Sequence, residues 1–277
     1  MRAASTLPGA LLAVQFVTIV PSVRAGPGDA ARTTAWLRTH PRGHARHLTP
    51  SLRADMETVG AEQIAAAVAR VAGDNPFFGI GLGPLPAALP IEDAVAAVGA
   101  WARTDEPRVA ASLTVLGYSA RLAGPVLALL VRAHVLLDLS AVSCAYAPGA
   151  GFRLSLPAAS GLRGAGLADA CGPALVTHLS EIIARVRVVA PAAPALLWGN
   201  VASGIVGTVR QLARVAPPAE CRRVRDAVLA TPPLDTAGAF GAHDAYTRRS
   251  CCLYYRLGGG TCGDCPLPAG LTRHRRG

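Results

Sequence analysis

Four of the chain's seven cysteines fall in its last 27 residues, as Cys251, Cys252, Cys262 and Cys265, spaced C-C-x9-C-x2-C. Four thiolates can close a tetrahedral zinc site or hold an iron–sulfur cluster. The two-residue spacer between Cys262 and Cys265 lets both sulfurs meet around metal with backbone N–H groups turned toward them. The first pair is vicinal. Structural zinc sites favour two spaced knuckles, and adjacent cysteines cannot form one, so their sulfurs diverge. A two-iron cluster tolerates that divergence better, because its ligands attach to two centres. The run Gly258-Gly259-Gly260 lets the chain fold back to close such a site. Taken alone, the residues favour an iron–sulfur cluster and leave zinc and disulfides open.

Arg248, Arg249 and Arg256 border these cysteines. A four-thiolate [2Fe–2S] core is doubly negative when oxidised and triply negative when reduced. Positive charge beside it stabilises the reduced form and raises the potential. Each tenfold change in a one-electron equilibrium is about 59 mV. The competing reading of the three arginines is solubility alone.

The rest of the chain must position this segment. Five helices and one hairpin are expected, together with one long apolar segment. Ile64, Val68 and Val71 recur at helical spacing up to the stop Gly73-Asp74-Asn75-Pro76. Ile91, Val95, Val98 and Ala102 form a second stripe, with Glu92 and Asp93 in its first turn. Pro107 opens the long apolar segment to about Leu137, where Arg121, Gly124 and Pro125 predict a kink rather than a bilayer span. Val142, Cys144 and Tyr146 alternate, as do Phe152, Leu154 and Leu156, and residues 147–151 between them read as a hairpin loop. Leu175, Leu179, Ile182, Val186 and Val189 make the clearest core-facing stripe, which also bears His178, a surface or satisfied core histidine by expectation. A helix after Pro194 carries Val201, Ile205, Leu212 and Val215, and Gly204 and Gly207 allow a neighbour to approach closely. Its start holds Trp198 and Asn200 on either side of Gly199, either a packed indole with a bonded amide or support for a site formed elsewhere. A short helix after Pro217-Pro218 buries Cys221, Val224 and Val228 and turns Arg222, Arg223 and Arg225 to solvent. Cys144, Cys171 and Cys221 read as small buried apolar residues.

Composition bounds the alternatives. The 277 residues are 51% hydrophobic and 16% charged, enough for a core and unlike a disordered chain. Net charge is +10, yet residues 56–277 hold twenty Arg against fifteen acids, and no dense basic stripe points to nucleic acid. All 27 basic residues are Arg. Seven cysteines, an odd number, argue against a secreted disulfide framework. Leu7 to Val20 has the form of a short export signal with small residues after it, too short for a membrane span. The stretch 1–55 is expected to be an irregular extension, a start-site artefact, with the functional protein beginning at Met56. No repeat, P-loop or dinucleotide fingerprint is present.

Arg-Arg-Ser-Cys-Cys-Leu-Tyr-Tyr-Arg at 248–256, Gly258-Gly259-Gly260 and Cys-Gly-Asp-Cys-Pro-Leu at 262–267 together resemble the C-terminal [2Fe–2S] segment of the FhuF-type ferric-siderophore reductases. Leu196-Leu197-Trp198-Gly199-Asn200-Val201-Ala202-Ser203 resembles that family's Trp-Gly-Asn-x-Ala-Ser helix. So does the Pro125 helix followed by Leu137-Asp138-Leu139-Ser140. The spacer between Cys252 and Cys262 is one residue shorter than the family's usual ten and lacks its proline before the glycines. The resemblance implies a [2Fe–2S] cluster on Cys251, Cys252, Cys262 and Cys265. It implies an oxidoreductase that passes one electron to Fe(III) in a siderophore complex, in the cytoplasm, free or loosely attached to the inner membrane. Its partners would be the ferric siderophore and a reductase or ferredoxin as donor, with Arg248, Arg249, Arg256, Trp198 and Tyr254 as substrate contacts. Competing classes are a siderophore-binding or biosynthesis-related module and a zinc-stabilised interaction protein. The expected fold is mainly α (α+β). It comprises a helical domain over 56–235 with a small antiparallel hairpin or sheet, and a compact iron–sulfur lobe over 236–277.

Overall fold

The computed structural model describes residues 56–258 and 260–268; the extension expected over 1–55 lies outside them. The first strand, β1 (Met56–Val59), leads into helix α1 (Ala61–Asp74), which buries Ile64, Ala67, Val68 and Val71 on one face. Asn75 ends it, and the Asn75 side chain accepts from the Phe77 N–H at 3.0 Å to start the turn Pro76–Phe78. After the short β2 (Gly81–Leu82) comes α2 (Ile91–Ala102), with Glu92 and Asp93 at its positive end. Arg103 stops α2 in the left-handed conformation at φ 51°.

The apolar segment is one continuous helix, α3 (Pro107–Ala133), with Pro125 inside it. The helix runs on through Pro125. Gly124 belongs there because a Cβ would meet the Phe77 carbonyl oxygen at 2.6 Å. Helix α3 is long and apolar enough to cross a membrane, but 78% of its apolar window is covered by the rest of the chain. It ends at Ala133 rather than near Leu137, because His134 turns left-handed and Leu136–Leu137 become β3.

The hairpin forms as expected from β4 (Ser143–Ala147) and β5 (Gly151–Leu156), with Ala147 opposite Gly151. Strand β2 adds in parallel to β5. A second sheet, unannounced by any alternation, places β6 (Gly161–Gly164) between β1 and β3. These strands are two to four residues long, too short to show a period.

Helix α4 (Leu167–Val189) buries the expected Leu175, Leu179, Ile182 and Val186, but Val189 is 47% exposed. His178 is a satisfied core histidine: its Nε2 faces the Tyr118 hydroxyl at 2.8 Å and its Nδ1 the Leu139 carbonyl at 3.0 Å. Helix α5 (Pro194–Leu212) lies along α3, and at Gly204 a Cβ would sit 3.0 Å from the Ala120 nitrogen. The expected close approach therefore occurs at Gly204 and not at Gly207, which faces open space. Helix α6 (Pro218–Leu229) and a hairpin of β7 (Gly238–Phe240) and β8 (Tyr246–Arg248) complete the chain before the cysteine segment. Arg225 corrects the expected solvated arginine face. It is buried, bonded to Asp226 at 2.8 Å and Asp244 at 2.6 Å, with its guanidinium 4.0 Å from the Phe240 ring centre. Among the described residues the fold is thus six α-helices with small, mostly antiparallel sheets: mainly α, with a small β part.

Candidate iron–sulfur site

Strand β8 delivers Arg248 at the edge of the helical body, and the cysteines follow it. The Arg249 N–H donates to the Ala237 carbonyl at 2.9 Å, holding the exit from the hairpin. Leu253 then takes a left-handed conformation at φ 65°, which turns the chain directly after the vicinal cysteines. Its N–H lies 3.4 Å from the Cys251 sulfur. A single turn of 3-10 helix, Tyr254–Leu257, leads to Gly258 and Gly260 at φ 78° and 86°. Those angles suit glycine and reverse the chain toward Cys262. The Cys265 N–H donates to the Cys262 carbonyl at 3.0 Å, closing the Cys-Gly-Asp-Cys turn.

The tail brings the four sulfurs into one neighbourhood, two of them in close contact. Cys252 and Cys262 have Sγ atoms 3.3 Å apart. Cys251 lies near enough to both Cys252 and Cys265 for each to raise its thiol. A disulfide needs about 2.05 Å, so the Cys252–Cys262 approach is not one. Two thiolates on one tetrahedral metal at about 2.3 Å lie about 3.8 Å apart, close to the observed spacing. Among the described residues, no three His, Cys, Asp or Glu converge on one ion-sized point. The close Cys252–Cys262 pair fits two thiolates on one iron of a two-iron cluster, and equally two of the four thiolates around a zinc.

Helices α3 and α5 hold this arrangement from beneath. Asn200 is fully buried, and its Nδ2 donates to both the Ser112 carbonyl and the Ser112 hydroxyl, each at 2.9 Å. Ser112 in turn donates to the Cys252 carbonyl at 2.5 Å. The Asn200 Oδ1 accepts from Arg248 Nη1 at 2.8 Å. Arg248 then donates through Nη2 to the Cys262 sulfur at 2.5 Å. Its Nε is 3.1 Å from Asp264 Oδ2, close enough for an ion pair, but it makes no hydrogen bond because the N–H is not aimed at that oxygen. Ser203, one turn beyond Asn200, donates to the Asp264 carboxylate. Gly199 permits the contact, since a Cβ there would collide with the Ser250 hydroxyl.

Electrostatics follow from these contacts. The Cys252 thiol is drawn down to about 5, first by its hydrogen bond to Cys262 and then by the Arg248 charge, against burial. Cys262, the other half of that pair, is pushed up. Burial raises Cys251 to about 11. The Arg248 guanidinium is held above its usual range: burial opposes the charge, and Asp264 and the two sulfurs more than offset it.

The proposed substrate residues separate. Arg248 is 2% exposed and Trp198 9%, so both point inward and offer almost no surface to an external ligand. This corrects their expected role as substrate contacts. Arg249 and Arg256 are exposed and Tyr254 is half-buried. Arg256 is engaged by Glu106 at 2.7 Å, which ties the tail to the start of α3. Of the two readings of Asn200, support for a site formed elsewhere is the one its bonds describe. Ser112, Ser203 and Asp264 were not singled out from sequence. Ser203 and Asp264 lie inside the two quoted motifs, and the three-residue step from Asn200 to Ser203 was a signal for a shared face. Ser112 had no signal, because a serine in an apolar helix reads as ordinary.

Residues 248–267 match the family model of the FhuF 2Fe-2S C-terminal domain. No curated protein matches the chain. The close Cys252–Cys262 sulfurs, the buried cation beside them and the match agree: residues 248–267 are similar to the FhuF 2Fe-2S C-terminal domain, which indicates a [2Fe–2S] cluster as the cofactor.

Proposed function

We propose that this protein is a ferric-siderophore reductase whose ligands are Cys251, Cys252, Cys262 and Cys265. The observation that carries the reading is a family-matched cysteine segment whose outer sulfurs, Cys251 and Cys265, are partly exposed while Cys252 is buried. The cluster, when bound, supplies one electron at a time. Held by these four cysteines, a reduced cluster would supply the one electron that converts Fe(III) in the siderophore to Fe(II). Oxygen-donor chelators hold Fe(II) far more weakly, so the metal is released. An external reductase or ferredoxin would replace that electron.

The chain's own residues perform simpler tasks. Asn200, Ser112 and Ser203 fix the cysteine segment against the body. Exposed Arg249 attracts an anionic ferric complex, and Tyr254 offers it a partly open ring face. Neither role calls for a general acid or base. This reading places the chain in the cytoplasm, free or peripheral at the inner face of the membrane, with no nucleic-acid partner. The test is stopped-flow mixing of the pre-reduced protein with a panel of ferric siderophores. Rapid reappearance of the oxidised visible bands, with Fe(II) trapped by a ferrous chelator, is the expected result. Reoxidation no faster than in buffer across the whole panel would reject the proposal.

A further inference from the structure

Two buried arginines are held in contrasting ways. Arg225 is neutralised by two carboxylates, those of Asp226 and Asp244. Among the described residues Arg248 touches one, Asp264, through a poorly aimed Nε, while its two Nη atoms go to a neutral amide and a sulfur. A guanidinium that faces sulfur at 2.5 Å in a side chain 1% exposed is poorly screened by water. We propose that Arg248 sets the reduction potential of this site, that Asn200 is the positioning residue holding it there, and that Asp264 acts in the opposite sense.

Reduction adds one electron and no compensating cation. A fixed positive group hydrogen-bonded to a ligand sulfur stabilises the more negative state more strongly, so the potential rises. The nearby Asp264 carboxylate destabilises the same state. Asn200 is well suited to hold the guanidinium. Both its Nδ2 bonds go to Ser112, which leaves Oδ1 facing Arg248. Through Ser112 the same amide also fixes the Cys252 backbone. The network thus reaches the Cys252–Cys262 pair. Arg249 is exposed and its charge is open to solvent screening.

This inference rests on the cluster and ligand assignment above. Its test is a redox titration of the full chain, purified anaerobically and followed by visible bands and by the paramagnetic signal of the reduced state. Arg248→Gln is expected to lower the one-electron equilibrium constant tenfold or more, a fall of about 59 mV or more. Asn200→Ala should shift it three- to tenfold the same way. Asp264→Asn should shift it three- to tenfold upward, and Arg249→Gln less than twofold. Damage to the scaffold alone would not give opposite signs for Asn200→Ala and Asp264→Asn. Shifts of one sign for those two variants, or none beyond twofold, overturn the inference, and this pair decides even if Arg248→Gln does not retain the cluster. A parent chain without cluster bands would instead overturn the underlying assignment.

Discussion

Cys171 in helix α4 and Cys252 in the tail are both shut away from water, 0% and 1% exposed. Their thiols nevertheless shift in opposite directions. Burial alone pushes Cys171 up to about 12. Cys252 feels burial of the same sign, but the Cys262 thiol, the Arg248 guanidinium and the Tyr254 N–H bring it down to about 5. The lesson is that burial does not make a cysteine inert; burial without partners does. A thiol whose acidity is raised by donors and charge gives up its proton to metal more readily than one that is only buried. The helical body offers its cysteines apolar neighbours, and the tail offers them donors and a charge.

The sharpest way to break that comparison is to exchange sulfur for other atoms in both regions. Cys252→Ser and Cys262→Ser are expected to abolish the visible bands of anaerobically purified protein. Cys171→Ala and Cys221→Ala should keep the bands at full intensity. Each should cost roughly 1 kcal/mol of unfolding free energy for the small volume lost from the core, measured by denaturant titration. Bleaching by Cys171→Ala would place a ligand in the body and end the distinction.

The seam between the two regions comes next. Gly199→Ala pushes a methyl group into the Ser250 hydroxyl, which donates to the Ala195 carbonyl at 2.9 Å. Overpacking of this kind costs about 1–3 kcal/mol. It should fall on tail docking, reducing cluster yield several-fold. Ser250→Ala in the same chain should restore most of the yield, because the remaining contact to the Ser250 Cβ is an ordinary 3.6 Å. Iron and sulfide content per chain for the single and double variants gives the coupling directly.

Much of the body was legible because long helices repeat their apolar positions often enough to be read. Ile64, Val68 and Val71 face the core as their spacing demands. The sheet of β1, β6 and β3 was not legible, since two to four residues cannot show alternation. The tail was legible for a different reason: cysteine spacing encodes chemistry regardless of secondary structure. The Arg248 clasp was hidden because it depends on residues 48, 61, 88 and 140 positions apart meeting across α3, α5 and the tail. Nothing local marks Arg248 as buried and Arg249, its neighbour, as exposed. The same blindness explains Arg225, whose polar neighbours Arg222 and Arg223 suggested an open face. Its burial depends on Asp244 and Phe240 in the later hairpin.

Arg225 therefore offers a middle-sized test of the body's own electrostatics. Arg225→Gln leaves Asp244 and Asp226 without their cation and removes the stack on Phe240. Both carboxylates are about half exposed, at 49% and 60%, so water takes over much of their solvation. The expected loss is about 1–3 kcal/mol, seen as a lower thermal midpoint with unchanged visible bands. A loss of bands would mean that the β7–β8 hairpin is supported through Arg225 alone.

The smallest effect should come from Glu92 and Arg185, which pair across α2 and α4 at 2.6 Å with side chains about 30% exposed. The Arg185 hydrogen bond holds the Glu92 carboxyl below its ordinary 4.5. A carboxylate with a lowered folded value stabilises the fold above its unfolded value. That contribution fades as pH falls from 4.5 through the lower folded value, where the folded state must also take up the proton. Glu92→Gln should thus cost at most about 1 kcal/mol near neutrality, given the solvent screening of a half-open pair. The difference between parent and variant should shrink as the medium is acidified below 4.5. Added salt should reduce it as well, because these charges sit near water. The Arg248–Asp264 pair, with side chains 1% and 12% exposed, should by contrast resist salt. Equal salt sensitivity in denaturation of Glu92→Gln and Asp264→Asn would show that the tail is as open to solvent as the body's surface, and that Arg248 lacks the poorly screened surroundings its effect on the cysteines requires.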